Sequence, residues 1–196
     1  MTEKEKMLNT LPYVGWDPEL EEEKARVREL VYEYNNSRPA EREKRNELIT
    51  KILGSRKNNA FMEPPFHCDY GYNIHVGENF YANFNLTILD CSKVTIGDNV
   101  LIAPNVTITA AGHPIHPEMR KVAEYAAPVK IGDDVWIGAG VIVNPGVTIG
   151  SGSVIGSGSV VTKDIPPMVV AVGNPCRVLR EITEEDKQYY FKKMKF

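Results

Sequence analysis

A strict period of six residues is the feature that most constrains how this chain folds. Six β-branched apolar residues recur at that interval in its second half: Ile131, Ile137, Val143, Ile149, Ile155 and Val161. An α-helix repeats its apolar face about every 3.6 residues and a strand every second residue, and neither gives this period. A fixed short period of β-branched residues, with small residues often following directly, indicates a solenoid, in which each unit is one short strand and a turn.

Three such units would close one triangular coil of about 18 residues, with the recurring apolar side chains pointing inward and stacking from coil to coil. Residues 131–166 would then form two complete coils, and residues 76–130 two more with an insertion. Two further sets indicate the earlier coils, the second of them offset by two residues: Ile96, Ile102 and Ile108, and Val76, Ala82 and Ile88. The period does not fix the hand of the coil, although crossovers between parallel strands are usually right-handed.

The repeat is interrupted between Ile108 and Val129 by the segment TAAGHPIHPEMRKVAEYAAP. A long irregular loop inside a compact repeat is commonly functional. This one contains two histidines and an aromatic residue, Tyr125. We therefore predict an inserted functional loop at residues 109–128.

The first 58 residues are rich in charge and predict helices. Asp17 followed by Pro18 is a typical helix start, and Gly54 is a plausible stop. Apolar residues between them fall on one face at helical spacing, in two groups: Leu20, Val27, Leu30, Val31 and Tyr34, then Leu48, Ile49, Ile52 and Leu53. Short helices of this kind bury little surface alone, so we expect them to pack against the coils.

The end of the chain predicts one more helix. Thr183 and Asp186 have the spacing of a capping box, in which each side chain bonds the other residue's backbone N–H. The predicted organisation is thus a helical segment at residues 1–58, coils at residues 59–182 and a C-terminal helix at residues 183–196.

Composition argues against several classes of protein. The 196 residues carry a formal net charge of −3, whereas a nucleic-acid binder needs an excess of basic residues. No apolar run approaches the ~20 residues of a transmembrane helix, and the N-terminus lacks the apolar core of a signal peptide. The cysteines, Cys68, Cys91 and Cys176, are too few and too scattered for a disulfide framework or a structural zinc site. We expect a cytoplasmic protein with reduced thiols and no nucleic-acid or membrane partner.

The repeats, written [LIV]-G-x-x-[VS]-x, resemble those of the hexapeptide-repeat acyltransferases. Six segments resemble the sugar O-acetyltransferase branch, which includes galactoside and maltose acetyltransferases: NFYANFNLTILD, IGDNVLIAPNVTI, GHPIHPEMRK, IGDDVWIGAGVIVNPGVTIG, GSVVTKDIPP and GNPCRVLREI. The GHPIHPEMRK loop and the tail KQYYFKKMKF are more similar to galactoside acetyltransferases. The resemblance implies a mainly β fold, a left-handed parallel β-helix, that forms a homotrimer and uses acetyl-CoA without a metal.

Acetylation of a sugar hydroxyl by a thioester needs a base that works near neutral pH, and histidine is the natural choice. The resemblance identifies His113, in the GHP sequence of the loop, as this general base. It also implies that Asn83 assists the reacting centre, and Asn83 stands where the repeat would place a glycine. The predicted sugar-binding residues are Asn83, Asp90, which matches an acidic position of the family, Asp69 and Tyr125.

Coenzyme A is expected along the last coils. The predicted CoA-binding residues are Ala139, Ser157, Thr162, Lys163, Arg177 and Arg180. The two small residues, Ala139 and Ser157, stand where the resemblance implies that the pantetheine arm of CoA crosses the coils. The two arginines match positions near the nucleotide end, and a guanidinium fork suits phosphate.

Two positions depart from the galactoside pattern, since Cys91 replaces a common second acid and Asp69 replaces a small hydroxyl residue. We predict acetyl transfer to the 6-hydroxyl of a galactoside or related sugar, with a maltose- or glucose-type acceptor as the alternative. Less favoured are another acceptor, such as serine or an antibiotic, and a non-catalytic hexapeptide scaffold. A γ-class carbonic anhydrase is a further alternative, but it would need three histidines around zinc. The spacing of the four histidines in this chain does not place three of them at coil edges.

Overall fold

A computed structural model describes all 196 residues. The chain begins with three helices, α1 (Glu3–Leu8), α2 (Pro18–Asn35) and α3 (Arg42–Ile52). Asp17 caps α2 by accepting a hydrogen bond from the Glu19 N–H at 3.0 Å, and Pro18 occupies the first turn, as the sequence predicted. Most of the predicted apolar faces of α2 and α3 is buried in one core with the strands that follow, with Leu30 half-buried at its edge. Leu20 is buried in a second, smaller cluster with Met7 and Tyr13.

The strands form a parallel β-helix with three faces. Face 1 consists of Ser55–Arg56, Ile74–Val76, Val94–Ile96, Val129–Ile131 and Thr148–Ile149. Face 2 consists of Phe61–Met62, Tyr81–Ala82, Leu101–Ile102, Trp136–Ile137, Val154–Ile155 and Val169–Val172, extended by the antiparallel strand Arg177–Glu181. Face 3 consists of Phe66–Cys68, Leu86–Leu89, Thr107–Thr109, Ile142–Val143 and Val160–Val161.

The six-residue period is confirmed as the spacing of inward-pointing side chains. All six residues that defined it are buried, with exposed fractions of 3% or less. Ile131 pairs in register with Ile149, one coil of 18 residues further on. The earlier coils are 20 residues long, which explains the offset of two residues seen in the sequence.

Each coil turns at three corners, named here by the faces that they join. Residues with a left-handed backbone form the corner between faces 1 and 2: Asn59, Asn79, Asn99, Asp134 and Gly152. Four of these side chains stack as a ladder, in which each asparagine amide donates to the oxygen of the next coil at 3.0–3.1 Å. Asparagine tolerates this conformation better than other residues with side chains, so the ladder fixes the turn in successive coils.

The insertion leaves the β-helix at the corner between faces 3 and 1. It contains the short strands Ala111–Gly112 and Tyr125–Ala126 and the short helix α4 (Pro117–Arg120). None of the four α-helices combines the length and apolar character needed to span a bilayer.

The C-terminal helix predicted at residues 183–196 is wrong. The capping box of Thr183 and Asp186 does form, but it begins a 3₁₀ helix, Glu184–Gln188. The strands Tyr189–Phe191 and Met194–Lys195 follow as an antiparallel pair. Consecutive aromatic residues favour extended backbone, and Lys192 turns the chain with a φ of +50°.

Candidate active site

The inserted loop is ordered by its own hydrogen bonds. Gly112 pairs with Tyr125 across the antiparallel strands at its base. Within the loop, the Arg120 guanidinium donates to the carbonyl oxygens of Pro114 at 3.2 Å and Ile115 at 2.8 Å. The loop therefore presents His113, with an exposed imidazole, from a braced backbone.

Tyr125 lies against the backbone that precedes His113. A Cβ atom built at Gly112 would lie 2.4 Å from the Tyr125 Cζ, so no larger residue fits without moving the ring. Tyr125 as a whole remains 40% exposed. This position suits the sugar-binding role predicted for Tyr125, which stays a prediction. His116, the second histidine of the loop, precedes α4 and is also exposed.

The N-terminal segment braces the loop from the other side, through a residue that the sequence reasoning missed. Tyr13 and Glu124 exchange backbone hydrogen bonds of 2.9 and 3.1 Å, and the Tyr13 hydroxyl donates to Glu124 Oε2 at 3.2 Å. The Glu124 carboxylate lies against Gly15, where an added Cβ would approach Oε2 to 2.5 Å. No local sequence signal identifies Glu124, because its partner is more than a hundred residues away.

The prediction that Asp90 binds sugar hydroxyls is wrong. Asp90 is fully buried. Its Oδ1 accepts from the N–H groups of Asp69 at 3.0 Å and Tyr70 at 2.9 Å, and its Oδ2 accepts from the Asn73 N–H at 3.3 Å. Burial raises the pKa of Asp90 to about 6, although the bonds from Tyr70 and Asp69 lower it. The carboxylate holds the turn at residues 69–73 and so positions Asp69.

Asp69 is half-buried beside the base of the loop. Its Oδ2 accepts from the Cys91 thiol at 3.5 Å, and Cys91 packs in one apolar cluster with Tyr13 and Ala126. Burial, with the charge of Asp69, raises the pKa of Cys91 to about 12. The thiol therefore stays protonated at neutral pH, which makes it a poor nucleophile.

Asn83 lies at the corner between faces 2 and 3, next to an asparagine ladder but outside it. The ladder at this corner is formed by Asn85, whose amide donates to Asn105 Oδ1 at 3.0 Å. Asn83 instead accepts the Phe84 N–H on its Oδ1 at 2.8 Å. This bond orients the side chain and leaves its amide nitrogen without a partner within the chain.

Ala139 and Ser157 lie at the same corner, one coil apart. The Gly158 N–H donates to the Ala139 carbonyl at 2.8 Å, whereas the N–H groups of Ala139 and Ser157 donate to nothing within the chain. The corner is closely packed, because a Cβ at Gly138 would lie 2.6 Å from the Ser157 nitrogen. It offers two free backbone donors in a row along the coil axis.

Thr162 and Lys163 lie at the other corner, between faces 3 and 1, and both are exposed. Arg177 opens the last strand of face 2 opposite Val172. Arg180 forms a bidentate ion pair with Asp186, with N–O distances of 2.9 and 2.8 Å. The hydrogen bonds from Arg180 and Thr183 hold the pKa of Asp186 at about 2.

The predicted residues thus fall into two groups on opposite edges of face 3. His113, Asp69 and Tyr125 lie near the corner between faces 3 and 1. Asn83, Ala139 and Ser157 lie at the corner between faces 2 and 3. The strands of face 3 that separate these two corners are up to four residues long. At ~3.3 Å per residue, the corners are therefore roughly 13 Å apart. No group of three or more histidine, cysteine or acidic side chains is arranged to hold a metal ion.

A β-helix of six-residue repeats, capped by helices and interrupted by a histidine-bearing loop, is the architecture of the hexapeptide-repeat transferases. Residues 6–57 match the maltose acetyltransferase hexapeptide capping motif, and residues 128–163 match the bacterial transferase hexapeptide repeats. The galactoside O-acetyltransferase of Escherichia coli (strain K12) is 60% identical over 177 residues, which are 90% of this chain and 87% of that protein.

Solved structures agree with the sequence matches. A galactoside acetyltransferase in complex with coenzyme A has a TM-score of 0.97 and 54% identity, covering 100% of this chain and 98% of that one. A maltose O-acetyltransferase from Clostridium difficile 630 has a TM-score of 0.92 and 54% identity, covering 94% and 99%. The chain belongs to the hexapeptide-repeat sugar O-acetyltransferase family.

Proposed function

We propose that this protein transfers the acetyl group of acetyl-CoA to a hydroxyl of a galactoside or related sugar, with His113 as the general base. The observation that carries the proposal is the braced loop that presents His113 next to Gly112 and Tyr125, at the corner of the β-helix where Asp69 also lies. Family membership supports the reaction class, since the relatives include a galactoside and a maltose O-acetyltransferase. The three unpaired cysteines suit a reducing compartment such as the cytoplasm.

His113 acts on the acceptor. Its imidazole takes the proton of the sugar hydroxyl as the oxygen attacks the thioester carbonyl, and later returns a proton to the departing thiolate. The free amide nitrogen of Asn83 is a suitable donor to the carbonyl oxygen as that atom gains negative charge. Transfer is direct, because the raised pKa of Cys91 keeps its thiol protonated at neutral pH and leaves it a poor nucleophile for taking up the acetyl group.

Acetyl-CoA, when bound, supplies the activated acetyl group. The free N–H groups of Ala139 and Ser157 suit the amide carbonyls of a pantetheine arm that runs along their corner. Arg177 follows at the end of that corner, and Thr162, Lys163 and Arg180 complete the proposed CoA ligands. Since Thr162 and Lys163 lie across face 3, we assign their contribution to a neighbouring copy.

The active assembly is a homotrimer with its sites between copies. Face 2 carries an outward apolar row that runs along the coil axis through six registered positions: Phe61, Tyr81, Leu101, Trp136, Val154 and Val170. Leu101 and Trp136 are 50% and 54% exposed. Association through this row would cover it and set the corner of Asn83 against the next copy's loop.

The acceptor hydroxyl is the 6-hydroxyl of the sugar. This primary hydroxyl is the least hindered on a hexose, so it reaches a base on a protruding loop more easily than ring hydroxyls do. Asp69 would accept a bond from a second hydroxyl. A maltose- or glucose-type acceptor is the second candidate, favoured by the equal identity to the solved galactoside and maltose enzymes.

Free-thiol release from acetyl-CoA tests the function with five acceptors: a thiogalactoside, maltose, glucose, serine and chloramphenicol. We expect release with the thiogalactoside, and a 6-O-acetyl product by NMR. His113→Ala should lower kcat roughly 100-fold or more, while His116→Ala, the matched control, should retain most activity. Release with serine or chloramphenicol alone, or a fully active His113→Ala variant, would contradict the proposal.

A further inference from the structure

A basic cleft lies at the end of the β-helix, between its last strand and the C-terminal antiparallel pair. Its volume is about 610 Å³. The lining residues are Arg180, Thr183, Glu185, Asp186, Tyr189, Lys192, Lys193 and Lys195. Four of the eight carry a positive charge and two a negative one, in a chain whose net charge is −3. This cleft is therefore a local exception to the acidic character of the molecule.

The lysines carry the free positive charge of the cleft. The charge of Arg180 is neutralised by its bidentate pair with Asp186, and its guanidinium also donates a hydrogen bond to the Glu181 carbonyl. Lys192, Lys193 and Lys195 form no ion pair within the chain. A cleft with three unpaired ammonium groups and an aromatic residue, Tyr189, has the chemistry to hold a phosphorylated nucleotide.

The cleft continues the path proposed for the acetyl donor. Arg177 pairs with Val172 at the end of the corner that holds Ala139 and Ser157. The same strand then leads to Arg180, which pairs with Val170. Three residues of strand span roughly 10 Å, so the strand connects the pantetheine corner to the cleft.

We propose that Lys192, Lys193 and Lys195 bind the phosphates of the nucleotide end of acetyl-CoA, and that the adenine ring of the nucleotide lies against Tyr189. The proposal rests on the proposed function, and it assigns a binding role to the C-terminal antiparallel pair. Each lysine donates charge-assisted hydrogen bonds to phosphate oxygens. Arg180, one of the CoA ligands proposed above, lines the same cleft and is held in place by its pair with Asp186.

The test compares two donors, acetyl-CoA and S-acetyl-pantetheine, which has the same thioester and arm but no nucleotide. The variant Lys193→Gln/Lys195→Gln keeps the aliphatic stems and removes two charges. We expect its KM for acetyl-CoA to rise about tenfold or more, while its kcat with acetyl-CoA stays the same. Its kcat/KM for S-acetyl-pantetheine should also be unchanged. The matched control is Lys187→Gln, since Lys187 pairs with Glu184 at 2.6 Å and does not line the cleft.

Two outcomes would overturn the inference: an unchanged KM for acetyl-CoA, or an equal loss with both donors. Calorimetric titration of CoA into the same variants separates this test from that of the proposed function. Weaker CoA binding by the double variant supports the cleft even if no sugar acceptor is found. Failure of the wild-type protein to release thiol with any acceptor counts against the acetyl transfer alone.

Discussion

At the scale of single residues, Asp90 and Glu124 show that positioning groups lie behind the exposed ones. Asp90 holds the turn that presents Asp69. Glu124 ties the base of the inserted loop to Tyr13 in the N-terminal segment. Both act through backbone geometry, so the loop and the turn keep their places without a ligand.

The titration of Asp90 gives the first of three further predictions. Its pKa of about 6 in the folded chain exceeds the ~3.9 of an unfolded aspartate. The folded state therefore binds the proton more tightly, and the contribution of this group to stability rises as pH falls from about 7 towards 4.

Residue 90 cannot titrate in the Asp90→Asn variant. The unfolding free energy of the wild type, relative to that of this variant, should therefore increase by about 1 kcal/mol when the pH is lowered from about 7 to about 5. Urea unfolding of both proteins at the two pH values measures this difference. Parallel changes in the two proteins would show that Asp90 does not titrate in this range.

At the scale of elements, the corner ladders set the register of the coils. Asn79 accepts from Asn59 at 3.1 Å and donates to Asn99 at 3.0 Å, with a φ of +54°. Both the hydrogen bonds and the left-handed backbone distinguish this position from an ordinary turn. The two contributions can be separated by two substitutions at the same residue.

Asn79→Ala loses the ladder bonds and also strains the left-handed backbone, whereas Asn79→Gly loses only the bonds and accepts the backbone. We expect Ala to lower the unfolding free energy by about 3 kcal/mol and Gly by about 1–2 kcal/mol. Chemical denaturation of both variants gives the comparison. If Gly costs as much as Ala, the backbone strain has no role here.

The sequence predicted those elements whose cause is local. The six-residue period and the Asp17–Pro18 helix start both depend on residues that are close in the sequence. Both predictions were confirmed. The role of Asp90 depends on a turn 17–21 residues away that only coil stacking brings near. The C-terminal helix failed similarly, because its local capping box is followed by an aromatic run that pairs as strands.

At the scale of the whole molecule, one copy holds the two halves of the proposed site on different corners. His113 projects from the corner between faces 3 and 1, and Asn83 lies across face 3 from it. The proposed cyclic trimer would bring unlike corners of neighbouring copies together, with the apolar row of face 2 as its contact surface. The proposed site therefore takes His113 from one copy and Asn83 from the next.

This arrangement predicts complementation between two inactive variants. His113→Ala and Asn83→Ala copies should each show little activity alone. Co-expressed in equal amounts with different affinity tags, they should form mixed trimers in which about a third of the sites pair an intact His113 with an intact Asn83. Purification through both tags, followed by thiol release, measures the recovery against wild type. Mixed trimers that stay as inactive as either parent would place both residues in a site within one copy.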